Sequence, residues 1–546
     1  MASTTLPSRY IPHNNTPPTD IKAVKHRIHE ALAENVVRAH RHPSTNPKVY
    51  HGSAGEIIMD MRTFSILPAK TFPNNPTSSL IADPFHEPHH GSHVAYLETS
   101  VGPATLVLVR QLRLRQAPDS SAAKHARRGK LDGDLLDEVE LSESWRGAME
   151  LISGAQETAL SEPVDDDGCE VLYGRAGLLY ALLLLRSELV VTLSYLAQVG
   201  KGKDRVVRDT EALCGDGSLK ELVDDIIQRG ELGAQRYAGE LEEGEKARAP
   251  PLMWKWHGSR YLAGILHMII HAPPQIIAPH WDKVLRTVEW LLTIQDPLGN
   301  WPSKARPNMP LSSSGAATSP IDAEHADEND DALVQWCHGA PGFLMFFSAL
   351  LRRSTLSSSI CPLPPQLRST IVTATTRGGE LVYTRGLLRK GVGLCHGVGG
   401  NVYALLSVSD MLDSIPAPGS QSGVARTPST RSHHGFPLPG GISRSPPLPD
   451  LGGENAYWLR HTLHLADLAT AWRAMMQDGR MEIPEHAYSL YGGVAGMVCA
   501  WAEVWTRLTS SKDGIAHGNG HGDGAGNGVV PRRGGMPGYD DLAMLE

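Results

Sequence analysis

Cysteine is scarce in this chain, with six residues among 546. So low a density excludes a small secreted disulfide scaffold. There is no secretory n-region or cleavage site either, so a reducing, cytoplasmic location is expected, with peripheral contact at the plasma membrane as its variant. Any basic block is missing too. Lys and Arg total 51 against 59 Asp and Glu, a formal net charge of −8, which gives a nucleic-acid footprint no support. No long apolar run is free of charge. The longest, GLLYALLLLRSELVVTLSYL from Gly177 to Leu196, carries Arg186 and Glu188 at its middle, where a bilayer would penalise them, so it reads as a buried helix. The hydrophobic fraction of 41% and charged fraction of 20% are those of an ordinary globular protein, long enough for at least one large domain. In a reducing compartment, a Cys beside a His points to a metal or catalytic site rather than to half of a disulfide.

What the chain does have is a repeat. His or Tyr, then Gly-x-x-Gly, then a nearly continuous apolar run occurs as HGSAGEIIM at His51, YGRAGLLYALLLL at Tyr173, HGAPGFLMFFSALL at His338 and HGVGGNVYALLSV at His396. It returns as GGVAGMVCAWAEV at Gly492, and in degenerate form as YLAGILHMII at Tyr261. Apolar runs of ten or more residues without alternation predict helices buried on all sides. Paired glycines at each start let backbones approach closely, and predict exposed N–H groups at the helix ends. Between the copies lie amphipathic segments such as HWDKVLRTVEWLLTIQ from His280. There Val284, Val288, Leu291 and Leu292 share one face, and Asp282, Lys283, Arg286 and Glu289 avoid it.

Alternating buried and half-buried helices predict an all-α fold, an α/α toroid with an inner ring wrapped by an outer one; a solenoid of stacked hairpins is the competing shape. The expected toroid spans residues 46–510, after a partly disordered extension at 1–45 and before a Gly-rich tail at 511–546. Polar or Pro/Ser/Gly-rich insertions are expected near 304–330 and 413–453. The two histidines of HGNGHGDGAGNG, from His517, read as part of a solvent-exposed linker.

Two copies carry chemistry. WCHGAPG and GLCHGVGGN each place a Cys-His pair directly before a glycine turn. Thiolate and imidazole are the preferred donors for zinc, and a helix N-terminus favours the thiolate. Copies converging on one axis bring up to four such ligands together; the alternative is small residues buried at tight helix starts.

WCHGAPG and LLRKGVGLCHGVGGNVYALL resemble the two signature segments of lanthionine synthetase C-like proteins, as do CEVLYGRAGLLYALL, NWPS and YSLYGGVAG. That resemblance implies a double ring of seven hairpins around a zinc ion held by Cys337, Cys395 and His396, with His338 not a ligand. It implies thiol addition to dehydroamino acids: a peptide cysteine in the bacterial cyclases, glutathione in the eukaryotic branch. Lys390 falls where relatives contact glutathione, and Glu482, Ile483, Pro484 and Glu485 match a second contacting stretch. Relatives carry an arginine where Glu482 stands, and Arg480 is the nearby substitute. Arg9, in RYIPH, resembles an N-terminal arginine of the family but is not counted as a site residue.

One departure stands out. Where the family has a segment resembling YLGAAHGLAGIL, with its acid–base histidine, this chain reads WHGSRYLAGILHMII. Either His257 serves as the catalytic residue, or the protein binds zinc and thiol without efficient turnover, or a short segment of the natural parent is missing. His267, inside the apolar run, reads as a core histidine. Three functions follow: a glutathione-adding, thioether-forming enzyme; a non-catalytic zinc- and glutathione-binding adaptor; and an α/α-toroid glycoside hydrolase, disfavoured because the turns present Cys and His rather than paired carboxylates.

Overall fold

In five of the turns, the glycine at the first turn of the following helix is fixed by contact. A Cβ built on Gly55, Gly102, Gly177, Gly400 or Gly496 would lie 2.1–2.3 Å from the carbonyl oxygen six residues earlier, on Val49, Tyr96, Val171, Leu394 and Leu490 respectively. The chain doubles back so tightly before these five helices that only a missing side chain fits. The computed structural model describes residues 8–72, 90–116, 134–244, 246–254, 262–303, 333–413, 456–513 and 534–545.

The helices following these turns form the inner layer: α2 (Ser53–Thr63), α3 (Val101–Arg115), α5 (Arg175–Gln198), α8 (Leu262–His271), α10 (Ala340–Leu356), α12 (Val398–Leu412) and α14 (Val494–Asp513). Each packs on the next in that order, and α14 packs back on α2 to close the ring. Around them lie α1 (Ile21–His40), α4 (Asp134–Ser161), α7 (Asp216–Glu240), α9 (Trp281–Thr293), α11 (Pro365–Arg385) and α13 (Tyr457–Leu468), with α6 (Arg205–Leu213) a shorter addition. The fold is an α/α toroid with seven inner and six outer helices among the described residues.

The two layers differ as burial requires. Val398 to Ser409 of α12 are buried without a break, whereas α9 buries Val284, Val288 and Leu291 and exposes Asp282, Arg286 and Glu289. Helix α5 is long and apolar enough to cross a membrane by length and composition, and here it is an inner helix, mostly buried.

Two expectations change. The N–H groups at the helix starts are taken up by their own lead-in loops: Val398 and Gly399 donate to the carbonyls of Gly391 and Val392, and Arg175 and Ala176 to those of Gly168 and Cys169. The doubled-back loop stands one turn below the helix, so it supplies the acceptors itself. The stretches read as terminal extensions also contribute to the core. Helix α1 buries Val24, Ile28, Leu32 and Val36 and packs on α14.

At the other end, Met536, Tyr539 and Leu542 are wholly buried. Residues 534–545 are tied to inner helices around the ring: Asp541 to Arg62 of α2 at 2.6 Å and to the Tyr180 hydroxyl of α5 at 2.7 Å, Asp540 to Ser407 of α12, and the Leu545 carbonyl to Arg353 of α10. The expected insertions near 304–330 and 413–453, apart from Asp413, lie outside the described residues, as do His257 and His517.

Candidate metal centre

The glycine turns meet at one end of the ring, joined by a relay of backbone hydrogen bonds between repeat-equivalent residues. Cys337 N–H donates to the Cys395 carbonyl at 3.3 Å, Cys395 to Tyr491 at 3.0 Å, Tyr491 to Tyr50 at 3.1 Å, and Tyr50 to Leu97 at 3.0 Å. Five turns are thus stitched edge to edge, and the two Cys-His copies are neighbours.

Each ligand-bearing turn is held from outside. Gly339 has φ of +95°, a conformation that favours glycine, and the N–H of Ala340 that follows donates to Asn300 Oδ1 at 2.8 Å. Asn300 also donates to the Leu333 carbonyl, and Trp301 stacks on Phe343 with centroids 4.7 Å apart. NWPS is therefore the clamp that positions the Cys337 turn. Asn401, in the first turn of α12, donates to the carbonyls of Val334 and Gly386, tying the two Cys-His loops together.

Cys337, Cys395 and His396 offer two Sγ atoms and an imidazole nitrogen that all lie within 4.8 Å of one another. Both cysteines are buried and His396 is half-buried. Burial works against ionising the Cys395 thiol. Hydrogen bonds from Cys337, His396 and the Tyr50 hydroxyl outweigh it, and hold this thiol well below the ordinary cysteine range. Two soft sulfurs, an imidazole and a preference for thiolate make a donor set that fits zinc. His338 lies in the isolated pairing with Gln335 and is not one of the three.

Two histidines adjoin the cluster. His51 stacks on His486 with centroids 4.1 Å apart. Burial, then the neighbouring His486, His396 and Lys48, lower its pKa to about 4, so it is a neutral imidazole at pH 7. Glu98, at the repeat position equivalent to His51, is raised by burial despite Lys48 at 3.5 Å. Sequence reasoning gave His51 only as the head of a repeat copy and passed over His486 and Glu98; for His51 and Glu98 the signal was position, since they stand where His396 stands in its own turn.

The rim brings three distant stretches together. Arg389 N–H donates to the Arg9 carbonyl at 3.1 Å, Ile11 N–H to the Leu387 carbonyl, and Glu482 N–H to the Arg389 carbonyl at 2.6 Å. Lys390 is exposed between them, followed by Gly391, which lies against Pro484. Glu482, Ile483 and Glu485 are exposed, Ile483 at 76%. Arg480 is paired with Asp478 at 2.7 Å, and its carbonyl accepts from Arg389.

A sequence profile described as lanthionine synthetase C-like protein matches residues 138–415, more than half of the chain. The chain belongs to that family. The lanthionine synthetase C-like match includes Cys337, Lys390, Cys395 and His396, and excludes 482–485 and 534–545. Among relatives, the chain is similar to LanC-like protein GCL1 of Arabidopsis thaliana, at 25% identity over 343 residues, covering 61% of this chain and 54% of that protein. It is also similar to glutathione S-transferase LANCL1 of Danio rerio, at 24% identity over 255 residues, covering 44% of this chain and 46% of that protein. The chain spans about half the length of these relatives.

Proposed function

We propose that Cys337, Cys395 and His396 hold a zinc ion, and that the protein adds the glutathione thiol to dehydroamino-acid residues in peptides or proteins. The observation that carries the proposal is the convergence of two thiols and an imidazole at the mouth of the toroid, in a family with a relative named glutathione S-transferase. Zinc, when bound with one position open, supplies a lowered pKa to a coordinated thiol, making it a nucleophile at neutral pH.

The chain's own residues do the rest. In the addition the S–C bond forms, the C=C π bond breaks, and the proton of the thiol ends on the α-carbon. Lys390, exposed on the rim, is the cation that meets a glutathione carboxylate in this proposal. The segment from Glu482 to Glu485 walls the same approach, and the exposed Ile483 gives it an apolar contact. Glu482 repels a carboxylate, so this wall orients glutathione by exclusion on one side and by Lys390 on the other. For the proton, the described candidate is His51, a neutral imidazole stacked on His486 beside the ligands; His257 keeps that role in the alternative where its segment reaches the site. A cytoplasmic location, peripheral at the plasma membrane, belongs to the same proposal.

A second reading, a non-catalytic zinc- and glutathione-binding adaptor, is favoured by one observation: the histidine-bearing turn that precedes α8 in the family is absent from WHGSRYLAGILHMII. One experiment separates the two. The purified protein is assayed for zinc and for glutathione addition to a dehydroalanine peptide, beside Cys395→Ala. Zinc with turnover that Cys395→Ala abolishes supports the enzyme. Zinc and glutathione binding without turnover supports the adaptor, and absence of zinc from the folded protein sinks both.

A further inference from the structure

A second cluster of metal-binding side chains lies inside the ring. His267 and His271 stand four residues apart on α8, so their rings share a face, with centroids 4.5 Å apart. Both are wholly buried. The Nδ1–H of His271 donates to the His267 carbonyl at 2.7 Å, which fixes its tautomer and makes Nε2 the lone-pair atom. Neither ring nitrogen of His267 has a hydrogen bond among the described residues, although the side chain has no exposure at all. An imidazole so placed is costly to bury unless something takes up its lone pair.

The third member comes from the far end of the chain. Asp540 Oδ1 lies 3.4 Å from His267 Nε2, and Oδ2 accepts from the Ser407 hydroxyl of α12 at 3.0 Å. One ligand atom from each of His267, His271 and Asp540 lies within 4.8 Å of the other two. Backbone and hydroxyl groups orient His271 and Asp540 from behind, as outer partners orient metal ligands.

We infer that His267, His271 and Asp540 form a second metal site, for a divalent ion of the zinc class, which fastens the C-terminal segment to α8. Two imidazoles and a carboxylate suit a borderline transition-metal ion; calcium and magnesium prefer all-oxygen shells, and copper(I) prefers sulfur. The site is enclosed, so its role is structural: Asp540 belongs to residues 534–545, which the metal pins across the ring. It shares no ligand with the Cys337, Cys395 and His396 cluster, and does not depend on the function proposed for that cluster.

Cobalt(II) tests it, because the two donor sets absorb differently. The full chain is produced in cobalt-supplemented medium and desalted, then its bound cobalt and spectrum are measured. Two ions per chain are expected, only one giving a thiolate-to-cobalt charge-transfer band. Cys395→Ala should keep one ion without that band, and His271→Ala should keep one ion with it. In His271→Ala, limited proteolysis should also release the C-terminal segment faster. A single ion per wild-type chain, carrying the thiolate band and kept by His271→Ala, overturns the inference. If His271→Ala does not fold, the wild-type count read against the band strength decides alone. A single ion without the band, lost in His271→Ala, supports this site and removes the other.

Discussion

Tyr539 lies face to face on His267, with ring centroids 4.4 Å apart and planes 11° from parallel, and meets Trp336 edge-on at 5.1 Å. One ring from the C-terminal segment therefore touches both the helix of His267 and the turn that carries Cys337. Removing it should loosen two places at once. Tyr539→Ala should cost about 3–5 kcal/mol, the range for losing a fully buried aromatic side chain. The Tyr539 hydroxyl is buried with no hydrogen-bond partner among the described residues, so Tyr539→Phe should be neutral or stabilising. Denaturant unfolding of the pair checks both, and a destabilised Tyr539→Phe would show that the hydroxyl does have a partner.

Gly400→Ala should disturb the Cys395 turn specifically. The new methyl would lie 2.1 Å from the Leu394 carbonyl and 3.3 Å from Trp336 Cβ. The turn must open, at roughly 1–3 kcal/mol or more, and zinc content should fall with it. Gly154→Ala, inside α4 and with nothing within 4 Å of the new Cβ, should leave zinc content unchanged and raise stability by about 0.5–1 kcal/mol. Thermal unfolding and metal analysis of the two variants provide the comparison.

The cysteines should react in a fixed order once metal is stripped. Cys395 is held well below the ordinary thiol range, whereas burial pushes Cys214 and Cys499 up to about 12 and Cys169 higher still. Alkylation by a small iodoacetamide at pH 7, read by peptide mass spectrometry, should mark Cys395 well before those three. Added zinc should protect it. Equal labelling of all four would count against a thiolate-favouring site.

Acid should weaken the fold between about pH 6.5 and 4. His464 is lowered to about 4 by burial and then by His13 and His461, Asp467 opposing them, and the Tyr383 hydroxyl bonds to its Nδ1 at 2.7 Å. The unfolded chain takes up this proton near pH 6.5 and the folded chain only near 4. The stabilisation is therefore complete above 6.5 and is lost as pH falls through 4. Each such histidine adds a slope of up to about 1.4 kcal/mol per pH unit. Stability curves of wild type and His464→Gln should converge in that window.

Much of the ring was legible because its chemistry is local. A helix buried on all sides needs a continuous apolar run, and a doubled-back turn needs glycine, so five inner helices announce themselves with a Gly-x-x-Gly and α8 with a degenerate copy. Helix α3 did not, because its turn reads Thr99-Ser100-Val101-Gly102 and keeps only the glycine that packs on Tyr96. Cys337, Cys395 and His396 stood out through their repeated Cys-His-Gly context. The C-terminal segment was hidden by the glycine-rich stretch before it. Its signal was present in GMPGYDDLAML, where Met536, Tyr539 and Leu542 recur every third residue. Arg9 was set aside as part of a terminus, yet two backbone pairings tie its stretch to Leu387 and Arg389. Contacts across more than 350 residues leave no local pattern, so His51 beside His486 was equally invisible.

The relay of backbone bonds through Cys337, Cys395, Tyr491, Tyr50 and Leu97 also sets an order of events during synthesis. Tyr50 and Leu97 leave the ribosome early, but the residue that links them to Cys395 is Tyr491, near the end of the chain. A nascent chain halted at residue 480 already contains Cys337, Cys395 and His396 and lacks the strut that joins their turns to those of Tyr50 and Leu97. Closure by contacts so distant in sequence is slow. The two thiol-bearing loops can therefore pair with each other through the Cys337–Cys395 bond and Asn401, but they join the turns of Tyr50 and Leu97 only when the last inner helix arrives.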